Sequence, residues 1–173
     1  MKCKCGNEFE PIYRNGILVS KMCINCVLAK VRTKKAKERK ISDKQTKEKL
    51  KTKSDWLREL QTHVNRYIRF RDKDKPCISC GRSLTDKFDA GHFFTVGAYP
   101  NLRFNEDNIW GQCVACNQHK HGNISEYTPR LIERIGQGRF DKLCEDRNKP
   151  LHLSVEEIKE LIATYKDKIK NTS

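Results

Sequence analysis

Between Gly16 and Pro76 the chain contains neither glycine nor proline. Such a stretch has no turn punctuation and reads as helix. Acidic residues are also scarce: 22 Asp and Glu stand against 36 Lys and Arg, a net charge of +14. An imbalance of that sign favours a polyanionic partner, with nucleic acid ahead of a membrane surface. Long apolar runs are missing as well. None approaches the roughly 20 residues that span a bilayer, and no apolar segment follows the N-terminus as a secretory signal requires. A soluble, cytoplasmic protein with no membrane partner is therefore expected. With 36% hydrophobic and 34% charged residues in 173, one large core is excluded and one or two small domains are expected.

Cysteine is abundant. Eight of the nine cysteines fall into close pairs: Cys3/Cys5, Cys23/Cys26, Cys77/Cys80 and Cys113/Cys116. Disulfides between such near neighbours are geometrically awkward and disfavoured in reducing surroundings. Thiolates at this spacing suit tetrahedral Zn²⁺, so two structural zinc sites of four cysteines each are expected. Each site carries a net −2, which leaves the metallated chain near about +10. Cys144 reads as a small packed hydrophobe.

Pattern and punctuation divide the chain into four segments. Residues 1–28 read as a zinc ribbon or knuckle, and residues 29–75 as one or more long basic helices. Within the latter, residues 30–53 carry twelve Lys and Arg against three Asp and Glu, with few large apolar residues. That part cannot bury much: it is either an exposed helix or disordered until it meets an anion, and it should meet phosphates through Lys34, Lys35, Lys37, Lys44, Lys47 and Lys49 among others. Ser42 with Gln45 suggests a fresh helix start inside it. From Ser54, read as an N-cap, Trp56, Leu57, Leu60, Val64, Tyr67 and Ile68 recur at helical spacing.

Residues 76–127 hold the chemistry, and residues 128–173 read as packing helices. In the latter, Thr128-Pro129 marks a helix start, Gly136 a stop, and Ser154 with Glu157 a capping box. In the former, strands are expected over 88–94 and 108–112, with a helix starting over 114–121. One zinc on Cys77, Cys80, Cys113 and Cys116 would draw the ends of this strand–loop–strand unit together. His92 then lies on the first strand, Asn108 opens the second, and Asn117 comes directly after the last zinc cysteine.

A neutral imidazole in such a frame can take a proton from water. A hard divalent cation on oxygen and nitrogen ligands can stabilise a leaving oxygen. Asn108 can bond the backbone near His92 and hold the ring's direction. Asn117 and His121, at i and i+4, would share a helix face and could ligate the cation, and His92 itself is an alternative ligand. Asp89 is the nearest carboxylate to His92, but in a regular strand it points to the opposite face, so a bulge at Ala90-Gly91 would be needed for both to serve one metal. Arg103 and Lys120 are placed to meet phosphate. Phe93, Phe94, Tyr99 and Trp110 read as core rather than as base-stacking platforms.

The order His92 … Asn108 … Cys113-x-x-Cys116-Asn117, with Cys77-x-x-Cys80 upstream, resembles the HNH or ββα-metal nucleases in their His-Asn-Asn form. The layout is also similar to phage Holliday-junction resolvases of the endonuclease VII kind. The closer resemblance is to the lambdoid-phage NinG, or Rap, family of recombination endonucleases. It rests on the N-terminal cysteine segment, on "TKSDWLRELQTHVNRYIRFRDKDKPCISCGR" and on "AGHFFTVGAYPNLRFNEDNIWGQCVACNQHKHGNISEY". The resemblance implies an α+β, mainly helical protein with a zinc-stapled ββα-metal core. It also implies a phage-encoded, Mg²⁺- or Mn²⁺-dependent endonuclease acting on branched DNA in the host cytoplasm, and a homodimer. One position departs from the pattern: many HNH sites carry Asp or His directly before the general base, where this chain has Gly91. A non-catalytic double-zinc adaptor and an HNH enzyme that nicks duplex DNA are the competing readings.

Overall fold

The computed structural model describes residues 1–11, 13–84 and 87–171. The architecture is α+β and mainly helical, and the chain divides into two compact units, Met1–Lys51 and Thr52–Ser173.

The first unit opens with a hairpin, β1 (Tyr13–Arg14) and β2 (Ile17–Leu18), paired antiparallel. Its two-residue turn, Asn15-Gly16, takes φ of 50° and 76°. That double left-handed turn matches the twist of an antiparallel pair and is the reason an Asn-Gly sits there. Cys23 then caps α1 (Ile24–Lys49), 26 residues long. At 1.5 Å per residue this is a rod of about 39 Å. It is unbroken at Ser42, so the fresh start expected there does not occur. None of its described residues is buried. Apart from Cys26, which joins the first cysteine group, its side chains form weak exposed pairs such as Lys34–Glu38 and Arg39–Asp43.

The second unit is built on α2 (Lys53–Arg71). Its cap is Thr52 rather than Ser54: Thr52 Oγ1 accepts from the Asp55 N–H, and the Asp55 carboxylate accepts from the Thr52 N–H. Trp56, Leu60, Val64 and Ile68 form the buried stripe of α2. They pack on Ile158, Ile162 and Tyr165 of α5 (Val155–Lys170) and on Ile109. Each such side chain contributes roughly 1.5–3 kcal/mol by leaving water. The start of α5 carries the Ser154/Glu157 capping box read from the sequence.

Strands β3 (Phe88–His92) and β4 (Ile109–Cys113) pair antiparallel, Phe88 opposite Cys113 and His92 opposite Ile109. The register runs without a bulge. Beyond the sheet, α3 (Ile124–Ile135) and α4 (Gln137–Asp146) meet at Gly136, whose φ of 82° ends α3. They enclose a second core of Ile78, Phe93, Leu102, Trp110, Tyr127, Leu131, Ile135 and Leu143. Pro129 lies inside α3 rather than at its start. Its missing N–H orphans the carbonyl of Ser125, and both residues are exposed, so water can take that acceptor.

Asp72, fully buried just past α2, ties helix to sheet. Its carboxylate accepts from Arg71, Lys75 and the Gly111 N–H. Three donors outweigh the cost of burial and hold it ionised. Among the described residues no helix is long and apolar enough to cross a membrane.

Candidate functional site

Two groups of four cysteines assemble: Cys3, Cys5, Cys23 and Cys26 in the first unit, and Cys77, Cys80, Cys113 and Cys116 in the second. Within each group all sulfur atoms lie within 4.8 Å of one another. Tetrahedral Zn–S bonds of about 2.3 Å put sulfurs about 3.8 Å apart. Cys80 and Cys113 are 3.8 Å apart, and Cys5 and Cys23 are 3.5 Å apart. Both sets therefore fit zinc in geometry and in chemistry.

The thiols are crowded enough to split their titration. Burial opposes ionisation of Cys80, yet hydrogen bonds from Arg82 and its neighbours bring it down to about 6, while burial and the adjacent thiols push Cys116 up to about 12. In the first group, backbone bonds from Cys5 and Cys23 bring Cys3 to about 6, and the neighbouring thiols push Cys26 to about 12. Four sulfurs so close cannot all ionise without a central cation. The Cys77 sulfur accepts from the Cys113 N–H at 3.3 Å, and the Asn123 amide lies 3.8 Å from the Cys116 sulfur.

The cysteine clip shapes the backbone beyond it. Over Ala115–His119 the chain makes a π-helical turn, with the Lys120 N–H donating to the Ala115 carbonyl five residues back. The α-helix expected over 114–121 is thus replaced. Cys113 and Cys116 must both reach the sulfur cluster, and the wider turn lets them. His121 then leaves the helix with a left-handed φ of 47°. Asn117 and His121 do not share a helix face; the turn and the left-handed residue bring them to the same place. Together with His92 they line an open pocket of about 470 Å³.

The imidazole of His92 is half-buried. Its Nε2 lies 3.0 Å from the Arg103 carbonyl. A carbonyl only accepts, so Nε2 carries the proton and Nδ1 keeps its lone pair. Burial holds this histidine below the ordinary imidazole value, against the pull of that carbonyl. It is therefore neutral near pH 7 and able to accept a proton.

Asn108 is fully buried beneath the loop that leaves β3. Its side-chain Oδ1 accepts from the Phe94 N–H at 2.7 Å, and its Nδ2 donates to the carbonyls of Phe94 and Leu102. Its own carbonyl accepts from the Phe93 N–H. The backbone on the C-terminal side of His92 is thereby clamped at three points.

Asp89 does not share a strand face with His92, since the register is regular. Its carboxylate instead accepts from the Asn117 amide and from Gln118, both at 2.9 Å. The bulge that would have joined Asp89 to His92 is absent, and Gly91 packs tightly here. A Cβ at Gly91 would lie 2.1 Å from Gln112 Oε1. Gln112 is fully buried and bonds Ser79 and the Gly122 carbonyl, and its side chain fills the space where a Cβ at residue 91 would stand.

Arg103 is half-buried, its Nε donating to Gln61 at 2.8 Å, whereas Lys120 is exposed. Lys34, Lys35, Lys37, Lys44, Lys47 and Lys49 are all exposed along α1. Phe93 and Trp110 are buried in the second core, with Phe94 and Tyr99 packed against it. Sequence reasoning missed Arg82, Gln112 and Gln118. Only Arg82, directly after the Cys-x-x-Cys-Gly knuckle, carries a signal; the two glutamines act through contacts that no spacing announces.

A family described as Bacteriophage Lambda NinG protein matches residues 1–173. Protein ninG of Escherichia phage lambda is 48% identical over 122 residues, which cover 70% of this chain and 59% of that protein. Protein ninG of Salmonella phage P22 is 48% identical over 122 residues, covering 70% and 60%. Protein ninG of Escherichia phage 933W is 47% identical over the same length, covering 70% and 60%. The match thus spans about 60% of the length of these relatives. No solved structure matches the chain. A full-length family match and relatives near half identity lead to one conclusion: this chain belongs to the bacteriophage lambda NinG protein family.

Proposed function

We propose that the chain is a divalent-metal-dependent endonuclease with an HNH-type, ββα-metal centre, cutting branched recombination intermediates such as Holliday junctions and D-loops. The observation that carries this reading is His92. Its Nε2 proton is committed to a backbone carbonyl, its Nδ1 lone pair has no partner among the described residues, and it lines one pocket with Asn117 and His121. A half-buried, neutral, oriented imidazole beside hard donors is the equipment of phosphodiester hydrolysis.

In this reading His92 Nδ1 takes a proton from water. The water oxygen bonds to phosphorus as the bond to the leaving oxygen breaks. Asn108 holds the loop that keeps His92 in place. Asn117 offers an oxygen donor to Mg²⁺ or Mn²⁺ and His121 a nitrogen, while Asp89, on the other strand face, holds the Asn117 amide from behind. The cation would stabilise charge on the leaving oxygen. Lys120 and Arg103 meet flanking phosphates, and the lysines of α1 hold the DNA arms. The basic helix carries no base-reading element, which favours recognition of shape. Two symmetric nicks at a branch suit a homodimer, working in the cytoplasm of the phage's host.

The test is incubation with a synthetic four-way junction, a D-loop and a linear duplex, with and without Mg²⁺ or Mn²⁺. Metal-dependent cutting confined to the branched substrates supports the reading. Equal cutting of linear duplex would make this a nicking enzyme. Tight binding with no cutting would make it a zinc-built adaptor.

A further inference from the structure

Two side chains in the pocket are out of keeping with phosphate chemistry. Ile124, at the first position of α3, is 40% exposed. Val96 stands on the loop after β3 and is half-buried. Neither belongs to the two hydrophobic cores, yet both line the same pocket as His92, Asn117 and His121. A site that gripped phosphate alone would place cations or amides at those points.

The backbone at Ile124 is also held in an uncommon shape. His121, Gly122 and Asn123 take consecutive left-handed φ of 47°, 85° and 47°. Such a conformation costs roughly 1–3 kcal/mol at a non-glycine residue and persists only where surroundings enforce it. Here they do. The Gly122 N–H donates to the Cys116 carbonyl, the Asn123 N–H donates to the Lys120 carbonyl, and the Gly122 carbonyl accepts from Ser79 and Gln112. The zinc clip and the buried glutamine therefore fix where Ile124 stands. Aromatic rings are not available for the same purpose. Phe93, though it borders the pocket, is only 8% exposed and packs against Phe94, Tyr127 and Phe140.

We infer that Val96 and Ile124 form an apolar seat for the nucleobase next to the scissile phosphate, so that the pocket takes a nucleotide whose base has left the stack. This rests on the nuclease reading and adds to it the feature of the substrate that is selected. In continuous duplex both faces of a base are covered by its neighbours, and filling the seat requires unstacking. At a branch point stacking is already interrupted, so the cost is smaller. Aliphatic side chains commonly occupy disrupted base steps for this reason. The strongly positive charge of the chain is complementary to such a ligand.

The experiment uses the full chain and a four-way junction carrying 2-aminopurine at each nucleotide adjoining the branch, with Ca²⁺ in place of Mg²⁺ or Mn²⁺. Binding of the wild type is expected to raise fluorescence several-fold at one of these positions. The variant Val96→Thr/Ile124→Thr should bind the junction within about threefold of wild type, since phosphate contacts dominate affinity, but lose the fluorescence rise. With Mg²⁺ or Mn²⁺ its cleavage of the junction should fall about tenfold, within the span of one base-stacking contact. The single variants Val96→Thr and Ile124→Thr are measured alongside, with zinc content as the check on folding, so that a misfolded double variant does not decide the matter. A wild type that cuts junctions with no rise at any position overturns the seat and leaves the nuclease standing. So do variants that keep both the rise and wild-type cutting. A fluorescence rise without cutting overturns the nuclease, and with it the scissile phosphate, and keeps only the binding of an unstacked base. Neither rise nor cutting overturns both.

Discussion

Adding a single methyl group at Gly91 should destabilise the second unit by a calculable amount. The new Cβ would stand 2.1 Å from Gln112 Oε1 and 3.0 Å from its Cβ and Cδ. Something must move, and the choices are poor. Gln112 is fully buried, with its Nε2 donating to Ser79 and to the Gly122 carbonyl at 2.6 Å each. Overpacking of a tight interior costs about 1–3 kcal/mol. Swinging the glutamine away loses two buried hydrogen bonds at about 1 kcal/mol each. Either route costs roughly 1–3 kcal/mol, and that is the loss expected for Gly91→Ala. For a unit of this size that lowers Tm by roughly 4–12 °C. The assay is thermal unfolding of the zinc-loaded chain monitored by circular dichroism, for wild type, Gly91→Ala, Gln112→Ala and the double variant. Truncating Gln112 removes Oε1 and Cδ, so in that background the added methyl should cost about 1 kcal/mol or less. A Gly91→Ala protein melting within about 2 °C of wild type would refute the reasoning, and so would an equal cost in both backgrounds. The result also bears on the sequence pattern, because an aspartate before His92 would meet the same obstacle.

Purified chain should hold about two Zn²⁺, one per group of four thiols, by metal analysis, and Cys113→Ser should unfold the second unit, whereas Cys3→Ser should not. His92→Ala should lower junction cleavage by a factor on the order of 10²–10⁴ with binding intact. Because burial holds His92 below the ordinary imidazole value, the protonated form appears only at lower pH, so the acid limb of the rate profile should fall below that value. A limb at or above it refutes the assignment of Nδ1 as base. Replacing Lys34, Lys35, Lys37, Lys44, Lys47 and Lys49 with Gln should flatten the salt dependence of DNA binding by several units, at roughly 0.9 per duplex phosphate contact. If the preference for junction over duplex collapses while that slope stays unchanged, α1 is a spacer between sites and not an electrostatic contact.

Much of the fold is legible in the residues, and the exceptions have physical causes. Cysteine pairs announce themselves because metal geometry allows few spacings, and both groups assemble as the pattern implies. The stripe from Trp56 to Ile68 and the box at Ser154 are equally plain, being local and periodic. The cap of α2 lies two residues before the expected Ser54. Thr52 and Ser54 are both competent, and only Asp55, three residues beyond Thr52, completes the reciprocal pair. Pro129 resembles a helix start because nothing in the sequence says that Asn123 already takes the left-handed turn that begins α3. The π-turn after Cys113 and the flat register at Gly91 escape sequence reasoning for a deeper reason. Both lie against tertiary partners, a sulfur cluster in one case and the buried Gln112 in the other. No local propensity reports such partners.

The unburied helix α1 has a consequence for how the chain responds to its surroundings. Like charges recur one turn apart along it, as in Lys30 and Lys34, Lys35 and Arg39, and Lys40 and Lys44. With no core to hold it, its helicity is set by that self-repulsion against modest intrinsic propensity. Dissolved salt and a polyphosphate backbone then become interchangeable: either one relieves the repulsion and winds the segment tighter. Raising ionic strength should therefore order the free helix while loosening the hold on DNA proposed for it. Part of the heat released on binding DNA at low salt should be the heat of coil turning to helix, and that part should vanish once the salt has already done the winding.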